Sequence, residues 1–247
     1  RQGQTNKEKP KEASNGNYGV LSIDHPFLQV SAGFLHTCGV TDKGKIECFG
    51  SNKYGQTNKE KPKEASNGAR FVQVSAGSYH TCGLTDAGLI HLNGLQNVYN
   101  LHLGGTQVTD AGLAQLKGLS SLRRLHLEKT EVGDVGLSPL KGLDNLEYLN
   151  LYATKVTDKG LLNISKCSNL THLDLRQTQI GDDGLSALRN LENLWYLNLL
   201  KTKVSNKGLS TLGEIKSLKE IYLWQSEVTL DGVYRLREAL PNTKIVF

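Results

Sequence analysis

The sequence has no methionine, few aromatic residues and no long apolar run. Of its 247 residues only 6% are aromatic. No stretch approaches the roughly 20 apolar residues that a membrane-spanning helix needs. Because no initiating methionine is present, we expect the chain to have been processed, excised from a longer protein or edited. Hydrophobic residues make up 38% of the chain, so leucine and valine must build most of its core.

Charge excess and catalytic motifs are also scarce. The 29 basic and 24 acidic residues give a net charge of +5 without a polybasic run, so binding to nucleic acid or to an anionic membrane is not expected. The four cysteines do not have zinc-site spacing, and no metal or cofactor is predicted. No nucleophile–base set, phosphate-binding glycine loop or HExxH motif is recognisable, so an enzyme is not predicted.

The C-terminal two-thirds of the chain repeats every 24 residues. The phrase Val108–Leu113 (Val-Thr-Asp-Ala-Gly-Leu) has counterparts starting at residues 84, 132, 156, 180, 204 and 228. Its spacing of apolar residues indicates a helix. A second phrase, Leu-x-Leu at Leu101 and Leu103, keeps the same step and indicates a strand with one buried face. Because one unit cannot bury its own leucines, the units must stack.

Three types of residue recur at fixed positions of the helical segment, and each set of equivalent positions forms a column across the repeats. Hydroxyl residues are predicted N-caps, and the aspartates that follow suit the helix dipole in the first turn. A glycine column never varies, although glycine costs about 1 kcal/mol in a helix, so we expect a contact too close for a Cβ atom. The columns are Thr109, Thr157, Ser205 and Thr229; Asp110, Asp134, Asp158 and Asp182; and Gly88, Gly112, Gly136, Gly160, Gly184, Gly208 and Gly232.

These repeats resemble the leucine-rich repeat family over roughly residues 84–247. The segment Ala239–Ile245 is similar to the C-terminus of bacterial repeats of this type. The resemblance implies an α/β fold: a right-handed solenoid with seven parallel strands on the concave face and helices on the convex face. The family has asparagine after the strand, where this chain has hydroxyl residues that we expect to bond to neighbouring turns. These are Thr106, Thr130, Thr154, Thr178, Thr202 and Ser226.

The N-terminal third contains a different repeat. Phe27–Gly39 recurs as Phe71–Gly83, and Gly3–Gly16 recurs unchanged as Gly55–Gly68. The shared phrase Ala-Gly-x-x-His-Thr-Cys resembles the repeats of the regulator of chromosome condensation family, which are blades of a β-propeller. Two blades cannot close a propeller, so the ring and exchange activity of that family are not carried over. We expect a small all-β module of one to two blade-like units acting as a cap; loss of upstream blades is the alternative.

The predicted domains, residues 1–83 and 84–247, share a junction. Residues 84–94 fit both repeat patterns, so no linker separates the two domains. We expect the N-terminal hairpins to pack on the first solenoid turn and to cover its strand edge, which would otherwise invite pairing. The polar tracts Lys7–Asn15 and Lys59–Asn67 are predicted to be mobile loops.

Cys38 and Cys48 flank a predicted hairpin whose loop is Asp42–Gly44. Counting outward from the loop places Val40 opposite Ile46 and the two cysteines opposite each other. A cross-strand disulfide is therefore geometrically feasible in an oxidising compartment, and two reduced, packed thiols are the alternative.

Cys167, the asparagines and the histidines give further predictions. Cys167 falls in a leucine column and is predicted to lie in the core. Asn163 and Asn169 match the N-glycosylation acceptor pattern, and an extracellular or cell-surface location is favoured over a cytoplasmic one. His102 and His126 occupy one column of adjacent strands, about 4.8 Å apart. A metal-ligand or pH-sensing pair is one interpretation, and no third metal ligand accompanies it.

The strand positions between the leucines are predicted to line the concave face. They change from repeat to repeat and hold four of the nine tyrosines, and tyrosine, tryptophan and arginine dominate interface energetics. The predicted partner-binding residues are Arg124, His126, Glu128, Tyr148, Tyr152, His172, Asp174, Arg176, Tyr196, Leu200, Tyr222 and Trp224.

The sequence therefore predicts a non-enzymatic module that recognises a protein or peptide through this face. Tyr148, Tyr152, Tyr196, Tyr222 and Trp224 are the expected anchors. One alternative is that the aromatic columns only stabilise the sheet. Others are a structural or self-assembling subunit that associates through its C-terminal strand edge, and an excised fragment of a larger propeller-containing scaffold.

Overall fold

The computed structural model describes residues 27–32, 36–50, 71–76, 81–85, 90–93 and 98–247. The predicted loops Lys7–Asn15 and Lys59–Asn67 lie outside the described residues, as do positions 86–89 and 94 of the predicted junction.

Two three-stranded antiparallel sheets form the N-terminal part, and each is a copy of the other. In both, the register shifts after the first residue of the first strand. The first sheet contains β1 (Phe27–Ala32), β2 (His36–Thr41) and β3 (Ile46–Gly50), and the second contains β4 (Phe71–Ala76), β5 (Thr81–Thr85) and β6 (Ile90–Asn93).

The predicted hairpin between β2 and β3 is confirmed. Val40 lies opposite Ile46 and Cys38 opposite Cys48, and the two cysteines form a disulfide. Gly44 takes the left-handed turn position, with φ of 70°. Because the disulfide packs with Val40 and Val74, it lies in the small core that the two sheets share.

Seven short parallel strands form one sheet in the C-terminal part, as predicted. Each pairs in register with the strand 24 residues later, for example Leu101 with Leu125. The strands are β7 (Asn100–His102), β8 (Arg124–His126), β9 (Tyr148–Asn150), β10 (His172–Asp174), β11 (Tyr196–Asn198), β12 (Glu220–Tyr222) and β13 (Lys244–Val246).

The N-terminal module meets the solenoid on its helical side. Strand β6 contacts the 3-10 helix Ala114–Leu116 of the first turn. Among the described strands β7 pairs only with β8, so the predicted covering of the first strand edge is not seen there. The cap therefore contacts the first turn through the helix rather than through sheet pairing.

The helical segments are of two kinds, α-helices and 3-10 helices. The α-helices are α1 (Asp110–Leu113), α2 (Asp158–Ile164), α3 (Asn206–Leu212) and α4 (Leu230–Ala239), and the 3-10 helices are Ala114–Leu116, Val135–Gly142 and Gly184–Leu188. In the described part of the chain, none of these helices has both the length and the apolar character needed to cross a bilayer.

The kind of helix follows the residue in the cap column. Where that column holds Gly133 or Gly181, no side-chain oxygen can cap and a 3-10 helix follows. Thr109 makes no side-chain cap hydrogen bond, contrary to prediction, and α1 ends after four residues. The predicted caps that accept a backbone N–H, at 3.3–3.4 Å, are Thr157, Ser205 and Thr229.

The core is one continuous stack of leucines between the sheet and the helices. Cys167 lies in it as predicted, with 1% exposure, and its thiol donates to the Leu140 carbonyl at 3.3 Å. Burial raises the pKa of the Cys167 thiol to about 12, so it stays protonated.

The aspartate column clamps each repeat to the next, a role that the sequence analysis missed. Asp134 accepts hydrogen bonds from Thr157, at 2.7 Å from the backbone N and 2.6 Å from Oγ1. The glycine column packs against the same aspartates: a Cβ on Gly184 would lie 2.9 Å from the Cα of Asp158. The predicted close contact is thereby confirmed, and the atoms that approach the glycine belong to the aspartate of the preceding repeat.

The hydroxyl column after the strands does not bond to neighbouring turns, so that prediction is wrong. Each hydroxyl donates to a carbonyl three residues earlier in its own turn, as Thr178 does to Leu175 at 2.6 Å. A threonine side chain is shorter than an asparagine side chain, and it reaches only the local carbonyl. The same bond is made by Thr106, Thr130, Thr154, Thr202 and Ser226.

A column of left-handed residues follows the strands β7 to β12. Its backbone N–H groups bond to the next repeat, for example Gln177 N to the Leu200 carbonyl at 2.9 Å. Only Gly105 is a glycine; the others, with φ of 53–59°, are Lys129, Ala153, Gln177, Lys201 and Gln225.

Replacing Gln177 by glycine should raise the free energy of unfolding by about 0.5–1 kcal/mol, because it relieves a left-handed backbone that costs about 1–2 kcal/mol. Urea denaturation measures the change. Gln179→Gly is the matched control: Gln179 is also exposed and lies two residues away, but φ is not positive there, so stability should fall. Equal losses in both variants would contradict the assignment of strain to Gln177.

Candidate functional site

In its three central repeats the middle column of the concave face is buried, contrary to the prediction that it faces solvent. Asn150, Asp174 and Asn198 are 8%, 6% and 5% exposed. Their oxygens turn back to the main chain: Asn150 Oδ1 accepts from Tyr152 N at 3.0 Å, and Asp174 Oδ1 from Arg176 N at 3.1 Å. They therefore brace the turn after the strand.

Asp174 also binds the side chain of Arg176, and a partner-binding role for Asp174 stays a prediction. Its Oδ2 lies 2.6 Å from Arg176 Nη2 and 2.9 Å from Nε. This hydrogen bonding raises the pKa of Arg176. The guanidinium lies 4.8 Å from the centre of the Tyr152 ring, so these three predicted site residues form one locked cluster.

Six rings form a continuous ladder across the face, hereafter the ring ladder. Neighbouring ring centroids are 3.9, 4.8, 5.8, 5.6 and 5.5 Å apart. The ladder shifts between columns, because aromatic rings occupy the first column in the middle repeats and the second column at both ends. Its members are His102, His126, Tyr148, His172, Tyr196 and Tyr222.

Ring-to-ring contact places much of the ladder's aromatic surface against other rings. Burial raises the pKa of Tyr148 and Tyr196, and it lowers the pKa of His126 and His172, so all four are neutral near pH 7. The contacts are those that the sheet-stabilising alternative predicts. A partner-binding role for the members of the ladder stays a prediction.

The two tryptophans are the large exposed aromatics beside the ladder. Trp224 is 54% exposed and makes no ring contact with the described residues. Trp195 is 38% exposed, and its ring meets His172 edge-on at 4.3 Å. The sequence analysis missed Trp195 because it precedes β11, where strict alternation would point it into the core.

Two predicted charged residues lie near the N-terminal end of the face. Arg124 is exposed and has no ion pair within the described ranges. The Glu128 carboxylate packs on Gly104, and its Oε2 is buried without a hydrogen-bond partner. At the other end Glu220 accepts from the Tyr222 hydroxyl at 3.1 Å and pairs with Lys244 at 3.4 Å.

Two family models match the chain in separate regions. The regulator of chromosome condensation (RCC1) repeat matches residues 27–56 and 71–94, and the leucine-rich repeat matches residues 118–141 and 166–188. The chain carries RCC1-type repeats followed by leucine-rich repeats. The seven strands paired at one 24-residue register show that the leucine-rich repeats extend beyond the two matched segments.

Solved structures with leucine-rich repeats resemble parts of the chain. An internalin from Listeria monocytogenes is 21% identical, with a TM-score of 0.48. The match covers 60% of this chain and 39% of the internalin chain. A leucine-rich repeat protein from Leptospira interrogans is 17% identical, with a TM-score of 0.45. The match covers 62% of this chain and 50% of the Leptospira chain. This chain thus spans at most half the length of either. No curated protein matches it.

The leucine-rich repeats also use both predicted glycosylation asparagines in inter-repeat contacts. Asn163 Nδ2 donates to the Asp134 carbonyl at 2.9 Å, and Asn169 Nδ2 to the Asp144 carbonyl at 2.8 Å. Glycosylation at these positions stays a prediction. Within the part of the chain that the structure describes, no three histidine, cysteine or acidic side chains are grouped to hold a metal ion.

Proposed function

We propose that the chain is a non-enzymatic module that recognises a protein or peptide through the concave face of its leucine-rich repeats. The observation that carries the proposal is the exposure of Trp224, which is 54% in a region where the other rings are packed together. Leu200 and Arg176 precede it in the same column. Exposed tryptophans backed by a rigid sheet are typical interface anchors.

The predicted binding residues differ in the role that we propose for them: some contact the partner and others support the contacting surface. Trp224, with Leu200 preceding it in the same column, offers apolar surface to a partner. The ring ladder holds this surface rigid, which lowers the conformational entropy lost on binding. Arg124 has no ion pair with another described residue, and its positive charge at the opposite end would orient an acidic group of the partner.

Location and self-association are further parts of the proposal. The Cys38–Cys48 disulfide favours an oxidising environment and hence an extracellular or cell-surface location. Self-association is the alternative function, through β13 and the adjoining Phe247, which is 42% exposed. The proposed domains are residues 1–83 and residues 84–247.

Trp224→Ala should weaken capture of the partner by at least about 30-fold in Kd, because a central aromatic anchor contributes about 2 kcal/mol or more. The partner is captured from lysate and secretome of the source organism, purified and titrated. Tyr234→Ala is the matched control, since Tyr234 is 58% exposed on α4, away from the face.

Equal affinity of Trp224→Ala and the wild type would contradict binding at this face. Loss in both variants would place the effect in folding, so their thermal midpoints are compared first. Sedimentation over a concentration series tests the alternative: a mass that rises with concentration, together with capture of the chain alone, would favour self-association through β13.

A further inference from the structure

The N-terminal end of the ring ladder is a face-to-face histidine pair. The rings of His102 and His126 have centroids 3.9 Å apart and planes 16° apart. Neutral imidazoles can stack in this way. Two protonated rings would place unit charges about 4 Å apart, where repulsion is significant even in water.

His126 meets titratable groups from both neighbouring repeats. His102 lies on β7, Arg124 is on its own strand, and the Tyr148 ring of β9 is 4.8 Å away. Burial lowers the pKa of His126, and His102 and Arg124 lower it further, whereas Glu128 raises it. Since the folded chain then binds protons less readily than the unfolded chain, stability falls as the pH drops below about 6.5.

Glu128 supplies an acceptor that the stacked arrangement leaves unused. Its Oε2 is buried and has no hydrogen-bond partner among the described residues, and its carboxylate lies two residues after His126 on the same chain segment. A protonated imidazole that leaves the stack therefore has a carboxylate nearby. In contrast, His172 Nδ1 lies 2.8 Å from Thr171 Oγ1, a contact that holds its ring in place.

We propose that the His102–His126 stack is an acid-responsive element of the concave face: it is closed while both rings are neutral, and it opens when both rings are protonated and His126 turns to the Glu128 carboxylate. Opening changes both the shape and the charge of the N-terminal half of the face. A partner bound over that half would be released in acid, a consequence that rests on the proposed function.

Nuclear magnetic resonance titration of the histidine ring protons tests the switch in the full chain without a partner. His126 signals are assigned by their loss in His126→Gln. His102→Gln should raise the titration midpoint of His126 by about 0.7 pH unit, the equivalent of the repulsion removed. Glu128→Gln should lower it. Asn100→Gln, exposed on the same strand as His102, is the matched control and should leave it unchanged.

The titration midpoint of His172 serves as an internal reference. It should stay nearly unchanged in both His102→Gln and Glu128→Gln. An unchanged His126 midpoint in His102→Gln would overturn the proposal, as would an unchanged midpoint in Glu128→Gln. Circular dichroism at neutral pH verifies that each variant is folded. If the His126 midpoint shifts as expected but partner capture does not depend on Trp224, only the proposed function is contradicted. If capture depends on Trp224 but the His126 midpoint does not shift, only this inference is contradicted.

Discussion

Asp182→Ala should lower the free energy of unfolding by about 3 kcal/mol. Its Oδ1 accepts from Ser205 N at 2.8 Å and Gly208 N at 3.0 Å, and its Oδ2 accepts from Ser205 Oγ at 2.6 Å. Alanine removes three hydrogen bonds to a carboxylate, and Gly208 N–H keeps only its 3.1 Å bond to the Ser205 carbonyl. Because the bonds join neighbouring repeats, the loss falls on an interface that couples the solenoid.

Asp183→Ala is the control, because it removes the same side chain one residue later. Asp183 is exposed and pairs with the equally exposed Lys207 at 3.0 Å, so the urea midpoint should not change measurably. Urea denaturation followed by circular dichroism compares the two variants. Similar midpoints for Asp182→Ala and Asp183→Ala would contradict the clamp.

Gly184→Ala should destabilise the chain by about 2 kcal/mol, even though alanine is the better helix former. The added Cβ would lie 2.5 Å from Asp158 Oδ1 and 2.9 Å from its Cα. The second of these is a backbone atom and cannot rotate away. The resulting shift would also disturb the bond from Gly181 N to Asp158 Oδ1, now 2.7 Å long.

Gly142→Ala provides the comparison within the same structure. Gly142 ends the 3-10 helix Val135–Gly142, and a Cβ there would meet nothing within 4 Å. Its free energy of unfolding should stay the same or rise slightly. If Gly184→Ala cost no more than Gly142→Ala in urea denaturation, the close approach between repeats would be refuted.

Features set by spacing were predictable from the sequence. The 24-residue period places Leu101 beside Leu125, since parallel strands in register bring equivalent residues together. Counting from the Gly44 turn pairs Cys38 with Cys48. The glycine column likewise implied a close contact. Each of these predictions depends on position along the chain and on a local backbone geometry that the residue type restricts.

Features set by side-chain size and reach were not predictable in the same way. The alternation rule exposes Asp174, but larger neighbours and its bonds to Arg176 bury it. It also directs Trp195 into the core, whereas the ring comes to lie against His172. The hydroxyl of Thr178 was expected to reach another turn and is too short to do so.

By itself the sequence determined the repeat architecture, the strand register, the core columns and the hairpin that places Cys38 opposite Cys48, because periodicity and turn geometry act locally and recur. Only the tertiary structure decided how the concave face is divided. Whether a ring joins the ladder or stays exposed, as Trp224 does, depends on the side chains of the adjacent strands. Those neighbours are 24 residues away in sequence and within van der Waals distance in space, so stacking of the repeats determines which residues remain available to a partner.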